Sequence, residues 1–462
     1  MPLAGSSDKT ALTRPPAWIA ASVLLVATAV VGPLLGGLAR PLFIVGCGAI
    51  GLYGWRQGPA QHLQVLLALF CFVSLLRRMV DLSAGFDGSG VMLVGPLLAL
   101  CAPLGDLLME PPDHLRNRQL LPMAMVFGSV LYALMLTMFQ GAWTDAASNS
   151  VKTIAPLIYA LGLISAHPRR DELIEAATSA FLVILPLMGL YGLYQYVDPP
   201  EWDRYWMKSA TILSAGQPVP YGVRTFSVMN GPASFATFTA AGLLLVFFLR
   251  PGILPILLSV PAGIAFMLSM YRTAWVSFAV GIGFCLLFGA TRRRAAASIV
   301  GIAAMVVIAL FTPFGDVIGE RFATLSRGAG DDSARERLEQ FSALWTRSDS
   351  GLIGNGFMTV DVGSAGSMAV DGMFISSWIS MGLIVGMVCI AGLVLAAGNA
   401  VANAYAERRT TSIIVGALAC GAMTQMPLAN LISGELGFLF WGFIVLIPSP
   451  PQVGTPRLDQ RL

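Results

Sequence analysis

Arginine is the residue type whose placement in this sequence points most directly to chemistry. Five arginines stand at or near one predicted side of a series of apolar segments: Arg40, Arg77, Arg78, Arg224 and Arg272. A guanidinium at the edge of an apolar layer is costly and usually has an anionic partner, and its planar fork of donors suits phosphate. Each arginine therefore either pairs with a local acid or a lipid headgroup, or belongs to a site for a phosphate-bearing substrate. Arg272 is the sharpest case, because SMYRTAWV is a tight turn between two apolar segments.

A long polar interval, 315–371, holds the second group of residues that could do chemistry. Its charges concentrate in one stretch that enters a helical pattern: Asp331, Asp332, Arg335, Glu336, Arg337 and Glu339. A solvated helix face accounts for most of that charge, and Ser333 with Glu336 has the spacing of a capping box. Asp371 ends the interval, where an acid either caps the next helix or acts as a general base. The glycines of GLIGNGF (351–357) indicate a nucleotide loop only weakly, since no strand–helix context surrounds them.

A shorter polar interval, 198–228, is rich in aromatic side chains. Trp202, Tyr205 and Trp206 alternate with charged residues in DPPEWDRYWMK. Aromatic residues at this density either lie in the membrane interface or stack on sugar rings. Arg224 lies near the end of the interval, shortly before a predicted helix start at Asn-Gly-Pro.

The composition defines the surroundings in which these residues act. Hydrophobic residues make up 56% of the chain, charged residues make up 11%, and the mean hydropathy is +0.74. A soluble domain carries about 25% charged residues, so this chain cannot cover its surface in water. Apolar runs of membrane-spanning length recur throughout, and backbone in lipid must satisfy its hydrogen bonds as helix. We therefore predict an all-α, polytopic integral membrane protein.

The apolar segments predict about 12–14 transmembrane helices. Two segments are weak, because 42–54 is short and 151–166 contains Pro156 and is compatible with a re-entrant segment. Arginines collect in alternate short loops, as the positive-inside rule expects of cytoplasmic loops. This assignment puts both termini inside, and puts a first outer loop (198–228) and one large periplasmic loop (315–371) outside. The chain is then a single membrane domain, 1–462, with a disordered cytoplasmic tail at 449–462.

Several classes of site have no counterpart in the sequence pattern. The three histidines, His62, His114 and His167, fall in predicted inner loops. No metal-binding constellation, nucleophile elbow or P-loop is visible in the sequence. We therefore expect no metal and no cofactor. The net charge of +3 is spread over short loops and gives no indication of a nucleic-acid partner.

The order of these elements resembles the bacterial O-antigen polymerase and O-antigen ligase superfamily, which includes exopolysaccharide polymerases. RTFSVMNG (224–231) looks like the family's Arg-x-x-Gly-x-Phe-x-Asn segment, with Ser227 and Val228 departing from it. SMYRTAW (269–275) is similar to its Ser-x-x-Arg-x-x-Trp turn and is the most specific match. The stretch from Arg335 to Gly356 and the segment DGMFISSWISMG (371–382) follow in the same order. The resemblance covers residues from about 210 to 400, the C-terminal half.

The resemblance implies a GT-C-like glycosyltransferase of the bacterial inner (cytoplasmic) membrane with its active site facing the periplasm. Members move a glycan from undecaprenyl pyrophosphate to a sugar hydroxyl without a metal or a nucleotide. The pyrophosphate site is then formed by Arg224, Arg272, Arg335 and Arg337, and Arg272 also counts as catalytic because fixed cations stabilise the leaving group. Asp371 becomes the candidate base. The implied partners are the lipid-linked glycan, the growing polysaccharide acceptor and the bilayer, with a chain-length regulator and a flippase as further candidates.

Polymerase and ligase are separated by two positions of the family pattern. Ligases carry histidine where this chain has Asp371 and asparagine where it has Gly372. Since no histidine is predicted at the outer face, a polymerase is favoured over a ligase that transfers glycan to lipid A core. A lipid-linked glycan transporter or flippase is the alternative of another class, and it should show internal repeats with helices broken at the midplane. A non-catalytic membrane scaffold is the remaining alternative.

Overall fold

The computed structural model describes residues 15–109, 120–166, 170–210, 213–310, 351–357 and 372–444. Arg335, Arg337 and Asp371 lie outside the described residues, as do the predicted tail and most of the predicted large loop. Within the described ranges the chain is helical, and its one β feature is an isolated bridge between Gly216 and Val223. The prediction of an all-α protein is confirmed for this part of the chain.

Helix boundaries follow the apolar segments and the residues that interrupt them. Pro59 and Pro232 each occupy a first helical position, where the missing N–H is not needed. The α-helices are α1 (Ala17–Leu35), α2 (Ala39–Gln57), α3 (Pro59–Ala84), α4 (Val94–Leu100), α5 (Leu104–Met109), α6 (Leu120–Phe139), α7 (Trp143–Ala166), α8 (Arg170–Val197), α9 (Glu201–Ala210), α10 (Pro232–Leu249), α11 (Ile253–Leu268), α12 (Arg272–Leu286), α13 (Gly289–Leu310), α14 (Met373–Glu407), α15 (Thr410–Gln425) and α16 (Gly434–Ile444).

Six helical stretches among the described residues are long and apolar enough to cross a membrane. One of them, Ala17–Gln57, consists of α1 and α2. These two helices form an antiparallel hairpin, because the Ala17 N–H donates to Gln57 Oε1 at 2.9 Å. Shorter apolar helices, among them α11, α12, α15 and α16, pack beside the long ones. The chain is thus a multi-pass membrane protein, as the composition predicts.

The structure bears on two of the apolar segments that were counted as predicted spans, 91–108 and 151–166. The apolar segment at 91–108 is divided into α4 and α5 by a turn at 101–103, so neither piece has the length of a span. The segment at 151–166, which is compatible with a re-entrant turn, instead belongs to the continuous helix α7, with Pro156 inside it. Hydropathy measures how apolar a segment is, and an apolar segment can still contain a break in its helix.

Helices in this bundle approach one another through small residues, as is usual where the surrounding solvent is lipid. The closest approach is that of α8 to α11 at Gly189. A Cβ atom on Gly189 would lie 2.2 Å from the Ala262 nitrogen, so no other residue fits without a shift of backbone. Pro261 immediately precedes Ala262 inside α11.

One end of the bundle gathers the arginine-bearing segments, and we call it the arginine end. Here α3, α8 and α11 finish and α10, α12 and α14 begin. Backbone hydrogen bonds tie these termini together: the Leu75 N–H donates to the Val228 carbonyl (3.0 Å), and the Met373 N–H donates to the Met426 carbonyl (2.9 Å). Arg40, Arg77, Arg78, Arg224 and Arg272 all belong to this end. The sequence predicted that they share one side of the membrane.

Candidate functional site

The segment 224–231 carries the first arginine of the candidate site. It follows a small hairpin in which the Arg224 N–H donates to the Ala215 carbonyl at 2.9 Å. The Arg224 side chain is half-buried, and the residues just after it, from Thr225 to Met229, are fully buried. Ser227 adopts a left-handed backbone, with φ of 50°. Its hydroxyl donates to the Met188 carbonyl at 2.6 Å, which fixes the segment against α8.

The turn between α11 and α12 carries the second arginine. Met270 is left-handed, with φ of 53°, which turns the chain sharply enough for Arg272 to begin the next helix. The Ser269 hydroxyl donates to the Phe266 carbonyl at 2.6 Å, and the Trp275 indole N–H donates to the same carbonyl at 3.2 Å. The serine and tryptophan of the Ser-x-x-Arg-x-x-Trp pattern therefore both stabilise the turn. Arg272 is half-buried.

A backbone hydrogen bond joins these two segments. The Thr225 N–H donates to the Leu268 carbonyl at 3.1 Å. Thr225 is the neighbour of Arg224, and Leu268 is the last residue of α11 before the turn. Two half-buried arginines far apart in sequence are thereby carried on adjacent segments at the arginine end.

Two of the remaining arginines share one acid. The buried Asp81 carboxylate accepts a hydrogen bond from Arg40 at 2.8 Å and lies 3.4 Å from Arg77 Nε. Arg40 also donates to the Gly85 carbonyl at 2.5 Å, and Arg77 donates to the Asp87 carbonyl. Arg78 pairs separately with Asp203. The expectation that arginines at this depth have anionic partners is confirmed for these three, and in each case the partner is an acidic side chain of the protein itself.

The aromatic residues Trp202, Tyr205 and Trp206 of the interval 198–228 pack against protein. They belong to helix α9, in a stretch that was predicted to be part of an outer loop. Trp206 is 1% exposed, so it neither lies in the membrane interface nor stacks on a sugar, and both expectations for it were wrong. The Trp202 indole donates to the Tyr191 hydroxyl at 2.7 Å, and the Tyr205 hydroxyl accepts from the Phe86 N–H at 3.0 Å.

A small cavity lies between α10, α12, α15 and α16. Its volume of about 50 Å³ is room for a few water molecules, which is less than a sugar ring needs. Its walls are apolar apart from Thr237, Ser277 and Gln425. Thr237 donates to Gln425 Oε1 at 2.6 Å, and Gln425 Nε2 donates to the Ser277 hydroxyl at 2.9 Å. These groups form a polar wall within the apolar interior.

Glu435 lies beside this cavity, in the first turn of α16. Its neighbour Leu436 lines the cavity, and its carboxylate accepts a hydrogen bond from Ser234 at 2.6 Å. Ser234 stands in the first turn of α10, which directly follows the segment 224–231. A half-buried carboxylate that accepts a hydrogen bond from a serine hydroxyl could in the same way orient a sugar hydroxyl or accept its proton. Glu435 was not among the predicted site residues, although the sequence contains a signal for it, a lone acid in the apolar stretch GELGFLFW.

The GLIGNGF segment, 351–357, lies in a break of helix α14 at Gly382. The Asn355 and Gly356 N–H groups donate to the carbonyls of Ile379 and Ser380 at 2.7 and 2.9 Å. On the other side of the break, the Leu383 N–H donates to the Gly351 carbonyl at 3.0 Å. Because helix carbonyls accept hydrogen bonds from the Asn355 and Gly356 N–H groups, these two groups are not available to bind a phosphate.

Gly382 permits this arrangement through its backbone and its lack of a side chain. Its φ of 76° and ψ of 172° lie outside the helical region, and a Cβ atom would lie 2.2 Å from the Leu352 carbonyl oxygen. Helix α6 holds the segment from the other side, where the Tyr132 hydroxyl donates to the Ile353 carbonyl at 2.9 Å. The segment thus fills the gap between two membrane helices.

Three of the predicted site residues, Arg335, Arg337 and Asp371, lie outside the described residues, so their relation to Arg224 and Arg272 stays a prediction. Among the described residues no group of three or more His, Cys, Asp and Glu side chains could hold a metal ion. His62 was placed in an inner loop by the sequence analysis. The structure places it instead in the first turn of α3, fully buried, with Nε2 3.0 Å from the Ala99 carbonyl.

No protein-family model matches this sequence, and no curated protein matches it.

Proposed function

We propose that this protein is a membrane glycosyltransferase, GT-C-like in architecture, that polymerises undecaprenyl-pyrophosphate-linked oligosaccharide repeat units into an O-antigen or an exopolysaccharide. It acts at the outer face of the bacterial inner membrane. The observation that carries the proposal is the hydrogen bond between the Thr225 N–H and the Leu268 carbonyl. It links the two arginine-bearing segments that resemble the family, and paired arginines suit the two phosphates of the donor.

The backbone of Ser227 supports the resemblance from which this proposal starts. The fourth position of the family's Arg-x-x-Gly segment is glycine, and in this chain it is Ser227. Its φ of 50° lies in the left-handed region that favours glycine. The chain therefore keeps the conformation that a glycine would give, although the residue type differs.

The reaction needs cations for the leaving group and a group that accepts a proton. As the acceptor hydroxyl oxygen attacks the anomeric carbon, the bond to the pyrophosphate oxygen breaks and its electron pair leaves with the pyrophosphate. Arg224 and Arg272 stabilise that developing charge, with Arg335 and Arg337 as further ligands. The hydroxyl proton passes to a carboxylate, for which Asp371 is the candidate from the resemblance and Glu435 a second candidate from its place beside Ser234.

The test uses purified protein in bilayers with undecaprenyl-pyrophosphate-linked repeat units, and resolves the products on a gel. We expect a ladder of polymers from the wild type. Arg272→Ala should lower kcat/KM about a hundredfold, as the loss of one preorganised donor usually does. Lys208→Ala is the matched control, because Lys208 is an exposed cation at the same end of the bundle and should leave the ladder intact.

Other products decide between the alternatives. Transfer of a single glycan to added lipid A core, without a ladder, would replace the polymerase by a ligase. An unchanged ladder in a folded Arg272→Ala variant would contradict the proposed role of that arginine.

A lipid-linked glycan transporter is the second candidate function, because α14 is broken at Gly382. Broken helices often expose backbone groups to a transported substrate. Here the segment 351–357 binds the backbone groups on both sides of the break, which favours the transferase. Movement of a fluorescent lipid-linked glycan across proteoliposomes, in the absence of any ladder, would favour the transporter.

A further inference from the structure

Arg78 and Asp203 form an ion pair that has no contact with solvent. Arg78 lies in α3 and Asp203 in α9, and the distance from Arg78 Nε to Asp203 Oδ1 is 2.7 Å. Neither side chain has exposed surface. A buried ion pair usually survives only where further hydrogen bonds satisfy both partners. The groups that hydrogen-bond to Arg78 and Asp203 therefore indicate the structural role of the pair.

Arg78 directs its remaining donors to the segment 224–231. Its two terminal nitrogens donate to the carbonyls of Ser227 and Met229. The guanidinium carbon also lies 4.8 Å from the centre of the Phe226 ring, a cation–π distance. One arginine from the N-terminal half of the chain thus contacts three residues of the segment that carries Arg224.

Asp203 closes the network from the other side. Its second oxygen accepts hydrogen bonds from the Tyr191 hydroxyl at 2.9 Å and from Gln195 Nε2 at 2.6 Å. Gln195 Oε1 in turn accepts from the N–H groups of Phe226 and Ser227, at 3.0 and 2.8 Å. Both Arg78 and Gln195 thus bind the backbone that follows Arg224, including the left-handed Ser227.

Burial separates Arg78 from the arginines that could bind a substrate. A fully buried guanidinium paired with a carboxylate and two carbonyls cannot reach a pyrophosphate, whereas Arg224, a few residues from those carbonyls, is half-buried. A left-handed residue that is not glycine persists only where its surroundings over-determine it. The hydrogen bonds of Arg78 and Gln195 to the Ser227 backbone hold Ser227 in its left-handed conformation.

We propose that Arg78 and Asp203 are positioning residues, which hold the segment 224–231 so that Arg224 is presented to the pyrophosphate of the donor. The role assigned to Arg224 rests on the proposed function. The ordering of the segment does not, and the two are tested separately.

The first measurement follows the order of the segment. Thr225→Cys places a thiol of similar size at a position with no exposed surface. In otherwise wild-type protein we expect this thiol to react slowly with a water-soluble maleimide. With Arg78→Lys or Asp203→Asn added, labelling should accelerate at least about tenfold, because the segment opens locally. Arg204→Ala is the matched control: Arg204 lies on the same helix as Asp203, but its exposed ion pair is with Asp198, which precedes that helix, so its loss should not accelerate labelling. Protein without the Thr225→Cys substitution measures the background labelling of the six native cysteines.

The second measurement is a kinetic double-mutant cycle on the polymerisation reaction. Arg78→Lys should lower kcat/KM for the lipid-linked donor about tenfold, through a higher KM as well as a lower kcat, because Arg224 contacts the pyrophosphate both in the bound donor and in the transition state. Added to Arg224→Ala, the same substitution should cause almost no further loss, because both remove one interaction. A purely structural role would lower the amount of folded enzyme and leave KM unchanged.

The outcomes are distinguishable. Three outcomes would overturn the positioning role. They are unchanged labelling of the Thr225→Cys variant when the pair is altered, effects on kinetics that add to those of Arg224→Ala, and failure of both pair variants to fold. If the wild type makes no polymer, the proposed function fails, and the labelling experiment still decides whether the pair orders the segment.

Discussion

Arg78 and Arg272 are the same residue type at the same end of one bundle, yet their surroundings differ completely. Arg78 is fully buried and paired with Asp203, while Arg272 begins α12 and is half-buried. The sequence placed both in one group of unexplained arginines. It could not separate them, because the partner of Arg78 lies on another helix far along the chain. Predictions from residue type therefore located the arginine end but not the individual role of each arginine.

Ser227 allows a direct test of backbone strain. Ser227→Ala removes the hydrogen bond to the Met188 carbonyl and keeps a Cβ atom at a φ of 50°. Ser227→Gly removes the same bond but relieves the left-handed penalty, so it should be the more stable of the two by about 1 kcal/mol. Thermal unfolding in detergent measures the difference. Equal midpoints would mean that the backbone at this position carries no strain.

Glu435 and Asp371 are the two candidates for the proton acceptor of the proposed reaction. If Glu435 accepts the proton, Glu435→Gln should lower kcat about a hundredfold or more with little change in donor KM, within the usual range for a general base. Asp371→Asn should then have the smaller effect. Glu201→Gln is the control, because Glu201 is an exposed acid at the same end of the bundle. The reverse order of effects would return the role to Asp371.

Elements were predicted well where hydropathy alone defines them, and poorly where a helix lies along the surface or is broken. Helix α9 was treated as loop, although its buried residues, Asp203, Trp206 and Met207, have the spacing of one helix face. Charged and aromatic residues alternate there, which hid the helical period. The break of α14 at Gly382 was equally invisible, because the residues around it are apolar on both sides.

That break gives a prediction for the element as a whole. Gly382→Ala puts a Cβ atom against the Leu352 carbonyl in a backbone conformation that alanine avoids. We expect the segment 351–357 to leave the break, with a fall in the unfolding midpoint and new protease cleavage near Gly351. Gly398→Ala lies in regular helix of the same element with open space around it, and should stabilise slightly, by up to about 1 kcal/mol. Similar midpoints for the two variants would contradict the need for glycine at 382.

At the scale of the whole molecule, the sequence predicted the membrane, the helical class and the common location of the arginines. All three follow from composition and charge, which are properties of many residues together and do not depend on any single contact. The packing of one half of the chain on the other was not predictable, because it depends on single contacts such as that of Leu75 with Val228.

The orientation in the membrane is a prediction for the whole molecule. The short loops at the opposite end of the bundle carry the larger number of arginines, among them Arg292–Arg294, Arg408 and Arg409. The positive-inside rule therefore places that end inside and the arginine end outside. Lys208→Cys, exposed on α9, should react with an impermeant maleimide added to intact spheroplasts. Ala406→Cys, exposed near the opposite end of α14, should react only after the membrane is opened. The parent protein provides the background of the native cysteines. The opposite pattern would reverse the orientation and rule out a periplasmic site.

The pairing of Arg78 also affects how the protein is made. Ser227, one of its acceptors, follows it by 149 residues, so roughly 7–30 s of synthesis separate the two at ordinary ribosome speeds. During that interval α3 carries a guanidinium whose native partners have not yet been translated, and a charge at that depth is costly in lipid. The native contacts of Arg78 can therefore form only after α9 and the segment 224–231 have emerged. The order in which the helices enter the membrane is not the order in which they become native.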